Sequence, residues 1–195
     1  ESLPRRHQMN RKLIVTLVSL FALVVVGAAA AHEFNRIKGT SGDDALTGTE
    51  STDRIAGFAG NDTINALGGN DRIFAGQGND TVDAGAGRDR VRGGSGDDVL
   101  NGGDDNDLIR GRHGNDTENG GNGNDSMFGG RGADVLSGGE GDDRLHAIAN
   151  DNQVDKLDCG PGNDRVWLNS KESDEHVNCE RVFTVTVTRA DAEDE

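Results

Sequence analysis

The sequence predicts an all-β solenoid, and three observations support this fold class. Residues 39–146 divide into twelve consecutive units of nine residues, without a gap or an insertion. Every unit carries aspartate at its sixth position, and eleven of the twelve carry an apolar residue at the eighth. Glycine recurs at the first, second and fourth positions. A short fixed period is typical of repeat proteins, in which each unit is too small to fold alone and stacks on its neighbours.

The composition argues against an ordinary globular core. The 195 residues include 30 glycines, no tyrosine and one tryptophan, and the formal net charge is −15. Low hydrophobicity combined with high net charge is typical of disordered chains, so we expect disorder when the chain lacks its ligand. Stretches such as GSGDDVLNGGDDNDLIR (94–110) hold acidic residues close together, and these repel one another unless a positive charge lies between them.

Residues 1–31 differ from the rest of the chain. Arg11 and Lys12 precede the 19-residue stretch LIVTLVSLFALVVVGAAAA, which is uncharged from Leu13 to Ala31 and ends in small residues. This pattern predicts an export signal peptide, and the alternative is an uncleaved membrane anchor. Residues 1–31 carry a net charge of +3, so their removal would leave −18. Residues 32–38 are a short lead-in to the repeats.

The repeats begin at Gly39. In order, the units are GTSGDDALT, GTESTDRIA, GFAGNDTIN, ALGGNDRIF, AGQGNDTVD, AGAGRDRVR, GGSGDDVLN, GGDDNDLIR, GRHGNDTEN, GGNGNDSMF, GGRGADVLS and GGEGDDRLH. Their sixth-position aspartates are Asp44, Asp53, Asp62, Asp71, Asp80, Asp89, Asp98, Asp107, Asp116, Asp125, Asp134 and Asp143. A degenerate copy, CGPGNDRVW, places Asp164 and Val166 in the same two positions.

Within each unit, the residue types predict a turn followed by a strand. Glycine permits the backbone angles of a tight turn, and endings such as TVD or VLN suit a strand. Side chains alternate along a strand, so position 8 points into the core while positions 7 and 9 point outward. Stacked strands lie about 4.8 Å apart, which places the aspartates in columns whose repulsion a bound Ca²⁺ would relieve. For a single aspartate, an Asx turn is the alternative.

The units resemble the haemolysin-type calcium-binding repeats of RTX proteins, whose pattern is G-G-x-G-x-D-x-U-x. The resemblance implies a right-handed parallel β-roll in which six positions form a turn, three form a short strand, and two units complete one turn of the roll. We expect up to about ten Ca²⁺ ions, bound by the twelve aspartates and by carbonyls of the glycine loops.

Three residues depart from the repeat pattern at its fourth and eighth positions. Ser51 and Asp105 replace the glycine at position 4, so sites touching those loops are less regular. Glu118 replaces the apolar residue at position 8. A buried unpaired carboxylate is costly, so we expect Glu118 to turn outward or to stay protonated.

The alternation of units predicts two sheets with different outer faces. Odd-numbered units supply a nearly uncharged face of Thr, Asn and Val. Even-numbered units supply an arginine-rich face that contains Arg54, Arg72, Arg90, Arg92, Arg110 and Arg144. One hypothesis is that this face binds an anionic cell-surface polysaccharide, since arginine suits bidentate contacts with anions. The alternative is that these arginines neutralise nearby aspartates.

Residues 147–189 are expected to form a C-terminal cap that contains the degenerate repeat and the alternating strand VFTVTVT. A disulfide between Cys159 and Cys179 is expected to close this cap, and the alternative is two free thiols. Residues 190–195 form an acidic tail that we expect to be solvated and disordered.

The motifs favour a binding protein over an enzyme. The sequence contains neither H-E-x-x-H nor G-x-S-x-G, and His113 and His146 are expected at the surface. We therefore predict a secreted, extracellular or envelope-associated β-roll that folds on binding Ca²⁺ and has no enzymatic activity. The alternatives are an adhesin or polysaccharide-binding protein in which calcium is purely structural, and a fragment of a larger enzyme. No nucleic-acid partner is expected, and membrane contact is expected only if residues 13–31 are not cleaved.

Overall fold

The computed structural model describes residues 34–149 and 151–186. These residues form seventeen strands, all paired in parallel within two sheets, and include no helix. The predicted all-β parallel solenoid is therefore confirmed. No segment within the described ranges is a helix long and apolar enough to span a membrane. The predicted signal peptide or anchor (1–31) and the acidic tail (190–195) lie outside these ranges.

Odd-numbered strands form a nine-stranded sheet in chain order. Its members are β1 (Asn35–Lys38), β3 (Asp53–Ala59), β5 (Arg72–Gln77), β7 (Arg90–Ser95), β9 (Leu108–His113), β11 (Ser126–Arg131), β13 (Arg144–Ala147), β15 (Arg165–Asn169) and β17 (Arg181–Val185). Even-numbered units and the segments at both ends of the repeat contribute these strands.

Even-numbered strands form an eight-stranded sheet, again in chain order. Its members are β2 (Ala45–Thr49), β4 (Thr63–Leu67), β6 (Thr81–Ala86), β8 (Val99–Asp104), β10 (Thr117–Asn122), β12 (Val135–Glu140), β14 (Lys156–Asp158) and β16 (Glu175–Val177). The chain crosses from one sheet to the other at each turn, so residues 18 positions apart become neighbours in the repeat region.

The strands are longer than the three residues that the resemblance implied. β6, for example, spans positions 7 to 9 of one unit and positions 1 to 3 of the next. Position 1 also faces inward, because Ala66, Ala75 and Ala84 are fully buried there. The backbone at position 2 often adopts a positive φ, as at Gly94 (φ +134°). A side chain is excluded there, because a Cβ on Gly94 would clash with the Gly76 carbonyl of the neighbouring strand.

The core is a single ladder of position-8 side chains between the two sheets. None of its apolar members in the twelve units is more than 3% exposed: Leu46, Ile55, Ile64, Ile73, Val82, Val91, Leu100, Ile109, Met127, Leu136 and Leu145. Because each rung buries only one or two side chains per sheet, no unit has a core of its own. Stability therefore depends on the contacts between neighbouring rungs.

Both sheets continue beyond residue 146. The strands β14 and β15 pair in register with β12 and β13, and β16 and β17 pair in turn with β14 and β15. Leu157 and Val166 extend the core ladder. Cys159 and Cys179 form a disulfide across 20 residues of this region, as expected. The bond ties the end of β14 to the segment that precedes β17.

Candidate metal centre

Each position-6 aspartate lies at the end of a turn, directly before or at the start of a strand. Eleven of the twelve predicted aspartates are buried, with exposures between 0% and 4%, and Asp44 in the first unit is partly buried. The aspartates thus form two columns along the solenoid, one for each sheet. Charged groups are rarely buried to this extent without a partner.

In ten of the twelve aspartates, from Asp62 to Asp143, Oδ1 accepts a hydrogen bond from a backbone N–H of the preceding rung. The Asp80 N–H donates to Asp98 Oδ1 at 2.9 Å, and the Asp89 N–H donates to Asp107 Oδ1 at 2.8 Å. Equivalent bonds join positions 18 residues apart along both columns. The columns are therefore also hydrogen-bonded ladders, which the repulsion argument from the sequence did not anticipate.

The second carboxylate oxygen, Oδ2, lacks a partner in ten of the twelve aspartates although it is buried. These ten are Asp62, Asp71, Asp80, Asp89, Asp98, Asp107, Asp116, Asp125, Asp134 and Asp143. In the first two units a threonine replaces the glycine at position 2. The backbone N–H and the hydroxyl of Thr40 donate to Asp44 Oδ2, and those of Thr49 donate to Asp53 Oδ2. The unpartnered oxygens therefore begin at the third unit.

Backbone carbonyls share the space around these oxygens. A Cβ built on Gly93, at position 1, would lie 3.1 Å from the Gly111 carbonyl oxygen and closer still to Asp98 Oδ2. The same arrangement recurs at Gly102, where Asp107 Oδ2 and the Gly120 carbonyl converge. Glycine thus leaves room for a carboxylate oxygen and a carbonyl oxygen to approach one another.

The donor set fits Ca²⁺. Calcium accepts six to eight oxygens and combines carboxylates with backbone carbonyls. Within residues 34–149 and 151–186, no group of three or more His, Cys, Asp or Glu side chains is placed to hold a metal. Most ligands in each gap would therefore have to be carbonyls, with one unpartnered Oδ2 from each aspartate. Bound calcium would supply positive charge there and would neutralise the columns.

Burial raises the pKa of the ten carboxyl groups from Asp62 to Asp143 in the calcium-free protein. Desolvation is the largest cause, and it raises the pKa of Asp98 to about 7 and that of Asp107 to about 8. Like charges within the column add to the effect, because Asp80 raises the pKa of Asp98 further. The hydrogen bond from the Asp80 N–H opposes both. A cation beside Oδ2 would reverse this shift by favouring the ionised form.

A second ladder at position 5 was not predicted from the sequence. Here the direction is reversed, since the backbone N–H of the later unit donates to the side chain of the earlier one. Asn79 donates to Asn61 Oδ1 at 2.8 Å, and Asn115 donates to Asp97 Oδ1 at 2.7 Å. The recurrence of Asn and Asp at position 5 could have indicated this ladder from the sequence. The ladder explains why acidic residues stand in pairs at residues 97–98 and 142–143.

The aspartate columns also extend past the twelve units. The Asp134 N–H donates to Asp155 Oδ1, and the Asp143 N–H donates to Asp164 Oδ1, both across 21 residues. Asp174 and Glu180 take the same place in the last rungs. The degenerate copy had indicated Asp164, but the period changes after residue 146, so the sequence did not reveal the other three.

A family model for the RTX calcium-binding nonapeptide repeat matches this chain four times, at residues 34–57, 56–91, 83–118 and 119–154. The matches cover more than half of the chain. The chain belongs to the RTX calcium-binding repeat family. Its sequence has no significant match among curated proteins. RTX repeats are calcium-binding, so the ligand class predicted from the residues and the family agree.

The arginine-rich face of this RTX roll lies on the nine-stranded sheet. Arg54, Arg72 and Arg90 form one row, and Arg92 and Arg110 lie in a second row two residues further along their strands. Arg144 continues the first row and is followed by Arg165 in β15. Within the described part of the chain, no ion pair joins any of the six predicted arginines to a carboxylate.

For Glu118, two alternatives were expected, and the structure agrees with the second. Glu118 does not turn outward, because its side chain is 1% exposed and takes the core position between Leu100 and Leu136. The Gly111 N–H donates to Oε1 at 2.6 Å, while Oε2 is buried without a partner. Desolvation, followed by the charges of Asp134 and Asp116, raises the pKa of Glu118 well above its ordinary value. This direction agrees with the expectation that the carboxyl stays protonated.

The two histidines that were expected at the surface have different surroundings. His113 ends β9 beside an exposed loop. His146 is stacked between Phe128 and Trp167, with ring centroids 4.3 Å and 4.4 Å away. Burial, and then the charge of Arg144, lowers the pKa of His146 to about 4. The imidazole is therefore neutral at physiological pH and serves as one layer of an aromatic stack.

Proposed function

We propose that this RTX protein is a non-enzymatic β-roll that acts outside the cell and folds on binding several Ca²⁺ ions. The observation that carries the proposal is the set of ten buried Oδ2 atoms without hydrogen-bond partners. Leaving so many buried carboxylate oxygens unpaired is costly, and divalent cations would remove that cost. Up to about ten ions would nearly balance the charge of −18 that remains after residue 31.

An extracellular location is supported by calcium availability and by the disulfide. Extracellular calcium modules bind with millimolar to submillimolar affinity, which matches a chain that stays unfolded until export. The Cys159–Cys179 disulfide suits an oxidising compartment. Residues 1–31 would direct export and either be removed or remain as an anchor, and mass spectrometry of the protein from the cell surface and medium would distinguish these outcomes.

The test of calcium-driven folding is far-UV circular dichroism of the full chain in chelator, followed by separate titrations with Ca²⁺ and Mg²⁺. We expect a cooperative gain of β signal near millimolar Ca²⁺, and a much weaker response to Mg²⁺, which prefers strict octahedral coordination with retained waters. A β spectrum that is already complete in chelator and unchanged by calcium would contradict the proposal.

Binding of an anionic cell-surface polysaccharide is the second candidate function, with calcium then purely structural. The observation that favours it is the absence of ion pairs between the predicted arginines and carboxylates in the described residues. Replacing Arg72, Arg90 and Arg92 by serine should weaken retention of the protein on an acidic-polysaccharide matrix. Unchanged retention of the triple variant would remove this candidate.

A further inference from the structure

The arginine-rich face is not uniform along the nine-stranded sheet. A shallow groove crosses β5, β7 and β9, and its polar lining consists of Arg72, Arg90, Arg92 and Arg110. Its apolar lining includes Phe74, which is 42% exposed, and Leu108. No acidic side chain lines this groove. A cationic groove on a chain with net charge −15 is a local exception to the surface as a whole.

The guanidinium groups in this groove are crowded by one another. Arg92 Nε is buried without a hydrogen-bond partner. Burial lowers the pKa of Arg92, and the charges of Arg112 and Arg110 lower it further. Guanidinium groups without carboxylate partners can each bind an oxyanion through two parallel N–H···O bonds. The guanidinium groups of this groove are therefore available to bind oxyanions.

Strand register arranges the charges in two parallel rows. Arg72 pairs with Arg90 at position 7, and Arg92 pairs with Arg110 at position 9. Neighbours within a row belong to adjacent strands, whose backbones are about 4.8 Å apart along the solenoid axis. A single small anion would engage only one pair. A linear polyanion lying along the axis would engage both rows at successive rungs.

In the C-terminal part of the same sheet, the aromatic faces between Phe128 and Phe183 are already occupied by neighbouring rings. Phe128, His146, Trp167 and Phe183 stack face to face at centroid distances of 4.3, 4.4 and 5.2 Å. Arg110 covers the remaining face of Phe128 at 5.1 Å from the ring centroid. Single-stranded nucleic acid is bound largely by stacking successive bases on free aromatic faces. This arrangement favours a polysaccharide over a nucleic acid.

We infer that β5, β7 and β9 form a binding site for a linear acidic polysaccharide, which lies along the solenoid axis with its anionic groups on the two arginine rows. The inference rests on the proposed function, because the rows exist only when the rungs are stacked. It deepens the second candidate by giving the site, the orientation and the length of the ligand. Phe74 and Leu108 would contact the less polar faces of the sugar rings.

The test compares two double variants that lose the same charge. Arg92→Ser/Arg110→Ser removes one row of the groove, whereas Arg88→Ser/Lys156→Ser removes two exposed cations from a loop and from the opposite sheet. Binding to hyaluronan oligosaccharides of increasing length is measured calorimetrically in saturating calcium. The groove variant should bind about tenfold more weakly than wild type, and the control variant about equally.

Ligand length and ligand class provide further readouts. Affinity should rise with oligosaccharide length until the ligand spans the three strands, a distance of about 10 Å. Equal loss in the two double variants, or no dependence on length, would overturn the inference. Single-stranded DNA that binds more tightly than hyaluronan would overturn the assignment to a polysaccharide. Circular dichroism of each variant against calcium reports folding separately, so failure of calcium-driven folding is distinguishable from failure of the binding site.

Discussion

At the scale of single residues, our proposal gives the two oxygens of a position-6 aspartate different roles: one pairs with the backbone, and the other would bind calcium. Oδ1 accepts a backbone N–H from the preceding rung, as Asp98 does from Asp80. Oδ2 of Asp98 is buried and unpartnered. The neighbouring position-5 side chain has only the first role, since Asp97 Oδ1 accepts the Asn115 N–H and the residue is exposed. Two adjacent acidic residues thus have different expected contributions to calcium binding.

Replacing each member of this pair by asparagine tests the division. Asparagine keeps an oxygen that can accept the backbone N–H but removes the negative charge. We expect Asp98→Asn to raise the calcium midpoint of folding about twofold to tenfold, because ligand charge sets calcium affinity. Asp97→Asn should leave the midpoint nearly unchanged, as asparagine already occupies position 5 in several units. Circular dichroism in a calcium titration measures both, and equal shifts in the two variants would contradict the assigned roles.

At the scale of strands and rungs, one side chain interrupts the apolar ladder. Glu118 in β10 lies between Leu100 and Leu136 in the eight-stranded sheet. In the other eleven units, position 8 is Ile, Leu, Val or Met. Among residues 34–149 and 151–186, the only hydrogen-bond partner of Glu118 is the Gly111 N–H. The carboxyl therefore weakens contacts between neighbouring rungs at the middle of the solenoid.

Glu118→Leu should stabilise the calcium-loaded protein by about 1–3 kcal/mol, because it removes a buried, incompletely satisfied carboxyl group. Glu118→Gln is the matched control, since it removes the ionisable group but keeps an acceptor for Gly111. Because the pKa of Glu118 is raised, the stabilising effect of Glu118→Leu should be larger at pH 8 than at pH 5. Urea unfolding at both pH values measures this, and a less stable Glu118→Leu variant would refute the prediction.

The disulfide supports the last rungs, where the edge strand β17 has exposed Val182 and Phe183. Cys159 and Cys179 are separated by 20 residues. Replacing both cysteines by serine should lower the free energy of unfolding by about 3 kcal/mol, because the unfolded chain regains the conformational entropy that a closed loop of that size had removed. Because each rung contacts only its neighbours, we expect hydrogen exchange to increase in β14 to β17 and not in β4 to β8. Uniform loss of protection along the chain would show that the solenoid unfolds as one unit.

At the scale of the whole molecule, the calcium-free fold should depend on pH. Desolvation raises the pKa of Asp80 to about 6, of Asp116 to about 7 and of Asp155 to about 8, against 3.8 in the unfolded chain. The folded state therefore holds protons that the unfolded state has released. Its stability is fully present below about pH 4 and is lost as the pH rises through 6 to 8.

We accordingly expect the calcium-free chain to show more β signal at pH 5 than at pH 8. Saturating calcium should remove this difference, because it favours the ionised carboxylates. Calcium affinity should rise over the same range, since protons and calcium compete for Oδ2. Circular dichroism in chelator across the pH series measures the first effect. Equal β content at both pH values would indicate that the columns are not desolvated in the calcium-free chain.

Much of this architecture could be predicted from the sequence. The constant nine-residue period gave the stacking, the apolar residue at position 8 gave the core, and the aspartate at position 6 gave the two columns. These features are local and repeat at a fixed spacing, so the same physical reason applies at every unit. Position 8 of the strands could be assigned inward because side chains alternate along a strand.

The tertiary structure decided what depends on contacts between rungs. Only the stacked neighbours show that Asp98 Oδ1 is bonded while Oδ2 is free, that Thr40 and Thr49 satisfy the first two aspartates, and that Asp155, Asp174 and Glu180 continue the columns. The fate of Glu118 was also decided there, because leaving the core would have broken the pairing of β10 with β8 and β12. A repeat fixes which residues face one another, but hydrogen bonding and burial between those residues depend on the rungs above and below.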